Sequence, residues 1–301
     1  LAIEALAARG GSAFYAARTS PGLAMLRHAV LIALASLLLL AGFAPGRAAQ
    51  PQTSVPYALL VDFDTGATLF AKNADAPMSP ASTTKILTAE IVFRAVVEGR
   101  LRLADSAPIS LRAAREGDAE SGGSSMFAQA GSQVLVDDLL RGLVIASGND
   151  AAIALAEAVA GSEEAFVALM NARARELGMS RSHFANAWGG GSPRQSVTAR
   201  DMARLAAYVI RSYPQFYPYF GEPEFTWNGV RQQNRNPLLA MAIGADGVKT
   251  GHLAQSGFGL VGSAVQNGRR LLLVLNGART EEERAREARR LLEWGFQAAG
   301  R

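Results

Sequence analysis

The chain has no cysteine among its 301 residues. Disulfides, thiol nucleophiles, iron–sulfur clusters and Cys-ligated zinc are therefore excluded. Histidine is nearly as scarce: only His28, His183 and His252 occur. A multi-histidine metal site has too few ligands to draw on, and no metal or cofactor is implied. Lysine is the third scarcity. Of 30 basic residues, only Lys72, Lys85 and Lys249 are lysines. In so arginine-rich a chain, each retained lysine poses the question of what arginine could not do there. No low-complexity stretch or internal repeat is present. With 49% apolar and 19% charged residues the composition is globular, and the length suits one large domain or two small ones.

The high pI of about 9.7 is partly a property of the leader. Met25, Arg27 and His28 precede an apolar run from Ala29 to Ala41, then Pro45 and small residues to Ala49. This is the pattern of a secretory signal peptide, with cleavage expected near Ala49. The run is short of the ~20 residues that span a bilayer comfortably. Membrane attachment is expected only if the leader stays uncleaved. Residues 1–24 read as a translated upstream extension, with the start at Met25. Four arginines and one acid lie in residues 1–49, so the remainder carries about +1. There is no basic run with interleaved aromatics, and nucleic acid is not an expected partner.

Residues 50–301 read as one catalytic unit of α+β class. Tyr57–Phe63 and Ala67–Lys72 flank Asp64-Thr65-Gly66, which predicts a hairpin. Ser79-Pro80 predicts a capped helix to about Glu98, apolar on nearly all sides and hence buried. Helices are expected over 137–146, 150–160, 162–177 and 198–211. Gly257–Val265 and Arg269–Asn276 flank Asn267-Gly268, the strongest short hairpin signal. A charged helix from about Glu281 to Phe296 follows. Strands at both ends with helices between predict an antiparallel sheet fed by both termini, plus a helical lobe.

Three motifs occur in order: Ser82-Thr83-Thr84-Lys85 (S-x-x-K), Ser147-Gly148-Asn149 (S-x-N) and Lys249-Thr250-Gly251 (K-T-G). Their joint chance occurrence is on the order of one in a thousand. Ser82 and Lys85 share a helix face at i, i+3 near a helix N-terminus, whose N–H groups suit an oxyanion. Burial and that field lower the pKa of Lys85. A neutral lysine amine can take the Ser82 proton, which a guanidinium cannot. Ser147 can relay a proton and Asn149 can hold a substrate amide. Lys249 and Thr250 offer a charge and a hydroxyl to a carboxylate. Gly251 is expected to let a substrate backbone approach a sheet edge. A Ser-His-Asp triad fails on inventory, with no G-x-S-x-G elbow. His183 is expected to be structural, and the backbone N–H of His252 to donate to an oxyanion.

Over about residues 52–299 the chain resembles the D-alanyl-D-alanine carboxypeptidases, the low-molecular-mass penicillin-binding proteins. Blocks beyond the three motifs share in the likeness: Leu140-Arg141-Gly142-Leu143, Glu224 to Gly229, Gln233-Asn234-Arg235-Asn236 and Leu291 to Phe296. The resemblance implies a β-lactamase/transpeptidase-like fold. It implies that Ser82 forms an acyl-enzyme with a peptidoglycan stem pentapeptide and releases the terminal D-Ala, with Lys85 as base. Lys249, Thr250 and Arg284 would bind the terminal carboxylate, and β-lactams would acylate Ser82. The expected place of action is the periplasm or the cell-wall face of the inner membrane. Two departures stand out. The sequence stops just after Phe296, so the β-rich second domain and C-terminal amphipathic anchor that family members often carry are expected to be absent. Ala187-Trp188-Gly189-Gly190-Gly191 replaces an expected His-Gly-Leu stretch. The alternatives are a DD-endopeptidase with the same catalytic set and a class A β-lactamase, which lacks its E-x-x-L-N motif here. A non-enzymatic penicillin-binding sensor is the fourth reading.

Overall fold

The structure is a computed structural model and describes residues 50–117 and 123–299. The leader and upstream extension assigned to residues 1–49 lie outside the described residues. In chain order the elements are β1 (Tyr57–Asp62), β2 (Thr68–Lys72), α1 (Lys85–Val97), β3 (Ser106–Pro108), α2 (Leu111–Glu116), β4 (Gln133–Leu135) and α3 (Val136–Val144). Then come α4 (Asn149–Ala160), α5 (Glu163–Glu176), α6 (Ala199–Ser212), β5 (Glu224–Trp227), β6 (Val230–Gln233), β7 (Ala245–Leu253), β8 (Gly257–Gln266), β9 (Arg269–Ala278) and α7 (Glu281–Ala299).

The main sheet is antiparallel, in the order β2-β1-β9-β8-β7. Both ends of the chain feed it, as predicted. Its central strands are apolar in near-continuous runs because both faces are covered. Alternation then sorts the side chains. Leu59, Val261, Leu272 and Val274 join the core of the helical lobe, with Leu205 and Val209 of α6. Leu60, Leu260, Leu271, Leu273 and Leu275 face the other way, onto Ala288, Leu291 and Leu292 of α7. Asn267 and Gly268 both have positive φ, 51° and 76°, as a type I′ turn requires.

The helical lobe follows the predicted boundaries closely. Ser162 and Thr198 cap α5 and α6, each hydroxyl accepting from the backbone N–H three residues on. The hairpin β5–β6, turned by Asn228-Gly229, was quoted above only as a family block; its four-residue strands are too short for a clear alternation. Lys72, the lysine without a motif, donates to the Thr53 carbonyl at 2.7 Å and ties down the start of this region.

One expectation is corrected. Ser79 does not cap an α-helix. Its carbonyl instead accepts from Asn276 Nδ2 at 3.0 Å. Ala81 has φ of 47°, which interrupts a helical start. Residues Ala81–Thr84 form a 3-10 turn, and the α-helix begins only at Lys85. Ser82 thus sits in a tight turn ahead of α1, not at its third position. The helix itself is buried nearly all round, from Lys85 to Phe93.

A buried ion pair locks α1 to α5. Glu90 is fully buried and accepts from Arg173 Nη2 at 2.7 Å and Nε at 3.0 Å, and from the Tyr213 hydroxyl at 3.1 Å. Arg173→Met would strand that carboxylate in the core. It is expected to cost about 3–5 kcal/mol, read as a lowered urea midpoint. A loss below about 1 kcal/mol would show the pair to be dispensable.

Candidate active site

The three motifs, far apart in sequence, meet at one cleft. Ser82 comes from the 3-10 turn, Lys85 from the first residue of α1, and Ser147 from the α3–α4 connection. Asn149 is the first residue of α4, and Lys249-Thr250-Gly251 lie on the edge strand β7. Lys85 is completely buried. Its Nζ lies 3.1 Å from Ser82 Oγ, 2.8 Å from Asn149 Oδ1 and 2.6 Å from the Trp188 carbonyl. Burial holds this amine well below the usual lysine range, and the positive charges of Lys249 and Arg235 push it the same way. Asp150 opposes them weakly.

Ser147 is buried and has φ of 61°, a left-handed conformation that a serine adopts only under constraint. Asn149 is fixed from both sides: its Nδ2 donates to the Glu116 carbonyl at 3.0 Å, and its backbone N–H to the Ser124 carbonyl at 2.7 Å. The neighbouring Asp150, fully buried, accepts from Ser125 Oγ and from the backbone N–H groups of Met126 and Ala128. It thereby holds the loop that carries Ser124 against the cleft.

Gly251 lies against the serine turn. A Cβ there would come within 2.9 Å of the Pro80 carbonyl and 3.2 Å of the Ser82 nitrogen. Its lack of a side chain lets β7 press directly onto the serine turn. That close approach sets the distance between the K-T-G strand and Ser82.

The cleft has two halves that share Ser82. One, of about 180 Å³, is lined by Ser147, Arg235, Thr250, Glu281 and Arg284. The other, of about 260 Å³, is lined by Glu116, Ser124, Asn149, Trp188 and Leu253. His252 lines both, its ring stacked 3.9 Å from that of Phe258. The first half is cationic. Lys249 lies buried behind it, its ammonium pushed down to about 7 by burial and by Arg235 and Arg284. Arg284 is itself buried, and its Nε meets no hydrogen-bond acceptor among the described residues. An unpaired buried guanidinium nitrogen at a cleft wall is a ready partner for an anion.

Every residue expected at the site has its place here or beside it, and His183, expected to be structural, lies elsewhere. Its Nδ1 lies 2.7 Å from the Arg194 carbonyl, and its backbone pairs with Ser196, away from the cleft. Sequence reasoning missed Ser124, Arg235 and the Trp188 carbonyl. Arg235 stood inside a quoted block, and its Nη1 donates to Ser124 Oγ at 2.7 Å across the cleft mouth. A backbone carbonyl leaves no trace in residue type, so Trp188 could not have been found that way.

Comparison with known proteins bears on this geometry. A family profile described as D-alanyl-D-alanine carboxypeptidase matches residues 45–280. D-alanyl-D-alanine carboxypeptidase DacC of Escherichia coli K12 is 44% identical over 240 residues, covering 79% of this chain and 60% of that protein. DacA of the same strain is 40% identical over 248 residues, covering 82% and 62%. The chain thus spans about 60% of the length of these curated relatives. Penicillin-binding protein 5 of Haemophilus influenzae superposes with a TM-score of 0.79 at 39% identity, covering 82% of this chain and 72% of that one. Penicillin-binding protein D2 of Listeria monocytogenes, solved with ampicillin bound, gives 0.71 at 28% identity, covering 82% and 100%. On the profile match, the identities and the shared fold, this chain belongs to the D-alanyl-D-alanine carboxypeptidase family.

Proposed function

We propose that residues 50–301 are a serine-type D-Ala-D-Ala carboxypeptidase domain acting on peptidoglycan stem pentapeptides. The observation that carries the reading is the buried Lys85 amine within 3.1 Å of Ser82 Oγ. Ser82 attacks the carbonyl of the penultimate D-Ala while Lys85 takes its proton. The Ser82 and His252 backbone N–H groups face the developing oxyanion. The proton passes through Ser147 to the departing amine, free D-Ala leaves, and an ester remains on Ser82. Water then attacks that ester, with Lys85 again as base, and the shortened peptide is released. Asn149 holds the substrate amide. Lys249, Thr250 and Arg284 take the terminal carboxylate, and Gly251 keeps the strand close.

The cationic half of the cleft favours a carboxypeptidase over an endopeptidase. At about 180 Å³ and lined by two arginines, it suits a small leaving group bearing its own carboxylate. β-Lactams are expected to acylate Ser82, in keeping with the ampicillin-bound Listeria relative. The proposed substrate and the leader pattern support a place of action outside the cytoplasm, in the periplasm or at the cell-wall face of the inner membrane. Among the described residues no helix is long and apolar enough to cross a membrane.

The test joins two measurements on the wild-type protein. Fluorescent penicillin should label it, with the adduct mapping to the peptide that contains Ser82. A diacyl-Lys-D-Ala-D-Ala peptide should release free D-Ala over many turnovers. Labelling without D-Ala release, alongside loss of crosslinked dimers from intact peptidoglycan, would move the assignment to an endopeptidase. Turnover of nitrocefin at many cycles per second would move it to a β-lactamase.

A further inference from the structure

The Lys85 amine is aimed by a device that begins outside the cleft. A neutral amine has two hydrogens and one lone pair. The two shortest contacts of Nζ are to acceptors, the Trp188 carbonyl at 2.6 Å and Asn149 Oδ1 at 2.8 Å. If those take the hydrogens, the lone pair faces the Ser82 hydroxyl at 3.1 Å. The orientation of the base therefore depends on where the Trp188 carbonyl points.

That carbonyl belongs to a tightly fixed turn. Asn186 Oδ1 accepts from the Gly189 and Gly190 N–H groups at 2.7 and 2.9 Å. Gly189 has φ of 91°, and a Cβ there would fall 2.0 Å from the Ala81 carbonyl. The residue before Trp188 is gripped at both ends: the Ala187 carbonyl accepts from Thr88 Oγ1 at 2.6 Å, and the Ala187 N–H donates to Glu163 Oε1 at 2.8 Å. Glu163 is 2% exposed, and Arg112 neutralises its other oxygen. As the first residue of α5, it is anchored to the body of the helical lobe. A buried carboxylate is costly to maintain for stability alone, since an apolar side chain would fill the same space without that penalty.

We propose that Glu163 is a positioning residue for the Ser82–Lys85 pair. By holding the Ala187 N–H it aims the Trp188 carbonyl at Nζ and so turns the amine's lone pair onto Ser82 Oγ. The inference rests on the reading of Lys85 as the base.

Glu163→Ala, Glu163→Gln and Thr88→Val test it. Each is compared with wild type for fluorescent-penicillin acylation rate, kcat and KM on the diacyl-Lys-D-Ala-D-Ala peptide, and thermal melting. Glu163→Ala is expected to lower kcat and the acylation rate about 10- to 100-fold, the size of a small misalignment at the reacting atoms. KM should stay within about threefold, because no substrate-binding group moves. Glu163→Gln keeps an oxygen for the Ala187 N–H and should restore most of the rate, even where the lost charge lowers the melting temperature. A Glu163→Ala protein that melts earlier but acylates within about twofold of wild type overturns the proposal. So does a Glu163→Gln protein as slow as Glu163→Ala. If Glu163→Ala does not fold, Thr88→Val decides, since it frees the other end of the same residue: slowed acylation supports the proposal and an unchanged rate overturns it. Failure of wild type to be acylated at Ser82 is a different result, which removes the proposed function itself.

Discussion

Lys85→Arg is expected to lose about 10²- to 10⁴-fold in the rate of Ser82 acylation, the range removed with a general base. The substitution separates two roles. If Lys85 served only as a positive charge, arginine would preserve it. A base must lose its proton, and guanidinium does not do so in proteins. The surroundings of Lys85 favour the second role. Lys85 is fully buried, no carboxylate is among its hydrogen-bond partners in the described residues, and Lys249 and Arg235 repel its charge. Its pKa is lowered for those reasons. The wild-type rate should therefore fall on the acid side, where Lys85 is protonated, and the arginine variant should be slow at every pH. Ser82→Ala should show no labelling at all. Stopped labelling with fluorescent penicillin between pH 5 and 9 measures all three. A Lys85→Arg protein that folds and acylates within tenfold of wild type would falsify the assignment of Lys85 as base.

Lys249→Met is expected to raise KM for the D-Ala-D-Ala peptide about 30-fold or more. That corresponds to at least about 2 kcal/mol for truncating one partner of a buried charge pair. Lys249 is buried, with its pKa down to about 7 in the free protein. Wild-type kcat/KM should accordingly decline as pH rises through about 7 and Lys249 loses its charge. Arg284 stays charged, so the decline should level off before reaching zero. In the Met variant that alkaline decline should be missing. The same shift has a stability consequence of known sign. Between about pH 7 and the ordinary lysine value near 10.4, the unfolded chain binds a proton that the folded chain does not. The stabilisation is complete above the unfolded value and lost as pH falls through about 7. Lys249→Met should therefore stabilise the protein at pH 6, by on the order of a few kcal/mol, and do little at pH 11. A variant weaker in substrate binding yet more stable in acid is the signature of a strained functional group. Unchanged KM, or lower stability at pH 6, would show that Lys249 is an ordinary structural residue.

Much of this was legible before any coordinates. The hairpin around Asp64-Thr65-Gly66, the Asn267-Gly268 turn and the capped helices were readable because local chemistry decides them. An Asn-Gly pair takes the positive φ of a tight turn at little cost, and a hydroxyl such as that of Ser162 or Thr198 satisfies a helix start. Residue type also exposed the chemistry. Lysine was kept at Lys85 and Lys249 in a chain that otherwise uses arginine, each within a motif whose partners are named in the sequence.

What the sequence could not show is what depends on contacts between distant segments. The tight turn at Ser82 replaces the predicted helix start because β7 presses on it through Gly251 and because Asn276 takes the Ser79 carbonyl. The two arginines of the cationic half, Arg235 and Arg284, come from opposite ends of the late hairpin region and meet only in the folded chain. The third partner of Lys85 is the Trp188 backbone carbonyl, and the N–H of the preceding Ala187 is held by Glu163, 14 residues along the chain from the nearest motif. The sequence by itself determined the family, the sheet fed from both ends and the residues proposed as nucleophile and base, since those rest on side-chain chemistry at short range. Only the tertiary structure decided how the Lys85 amine is held and where the positive charge of the cleft gathers. Both depend on backbone groups and buried charges whose energies are set by neighbours that no local pattern encodes.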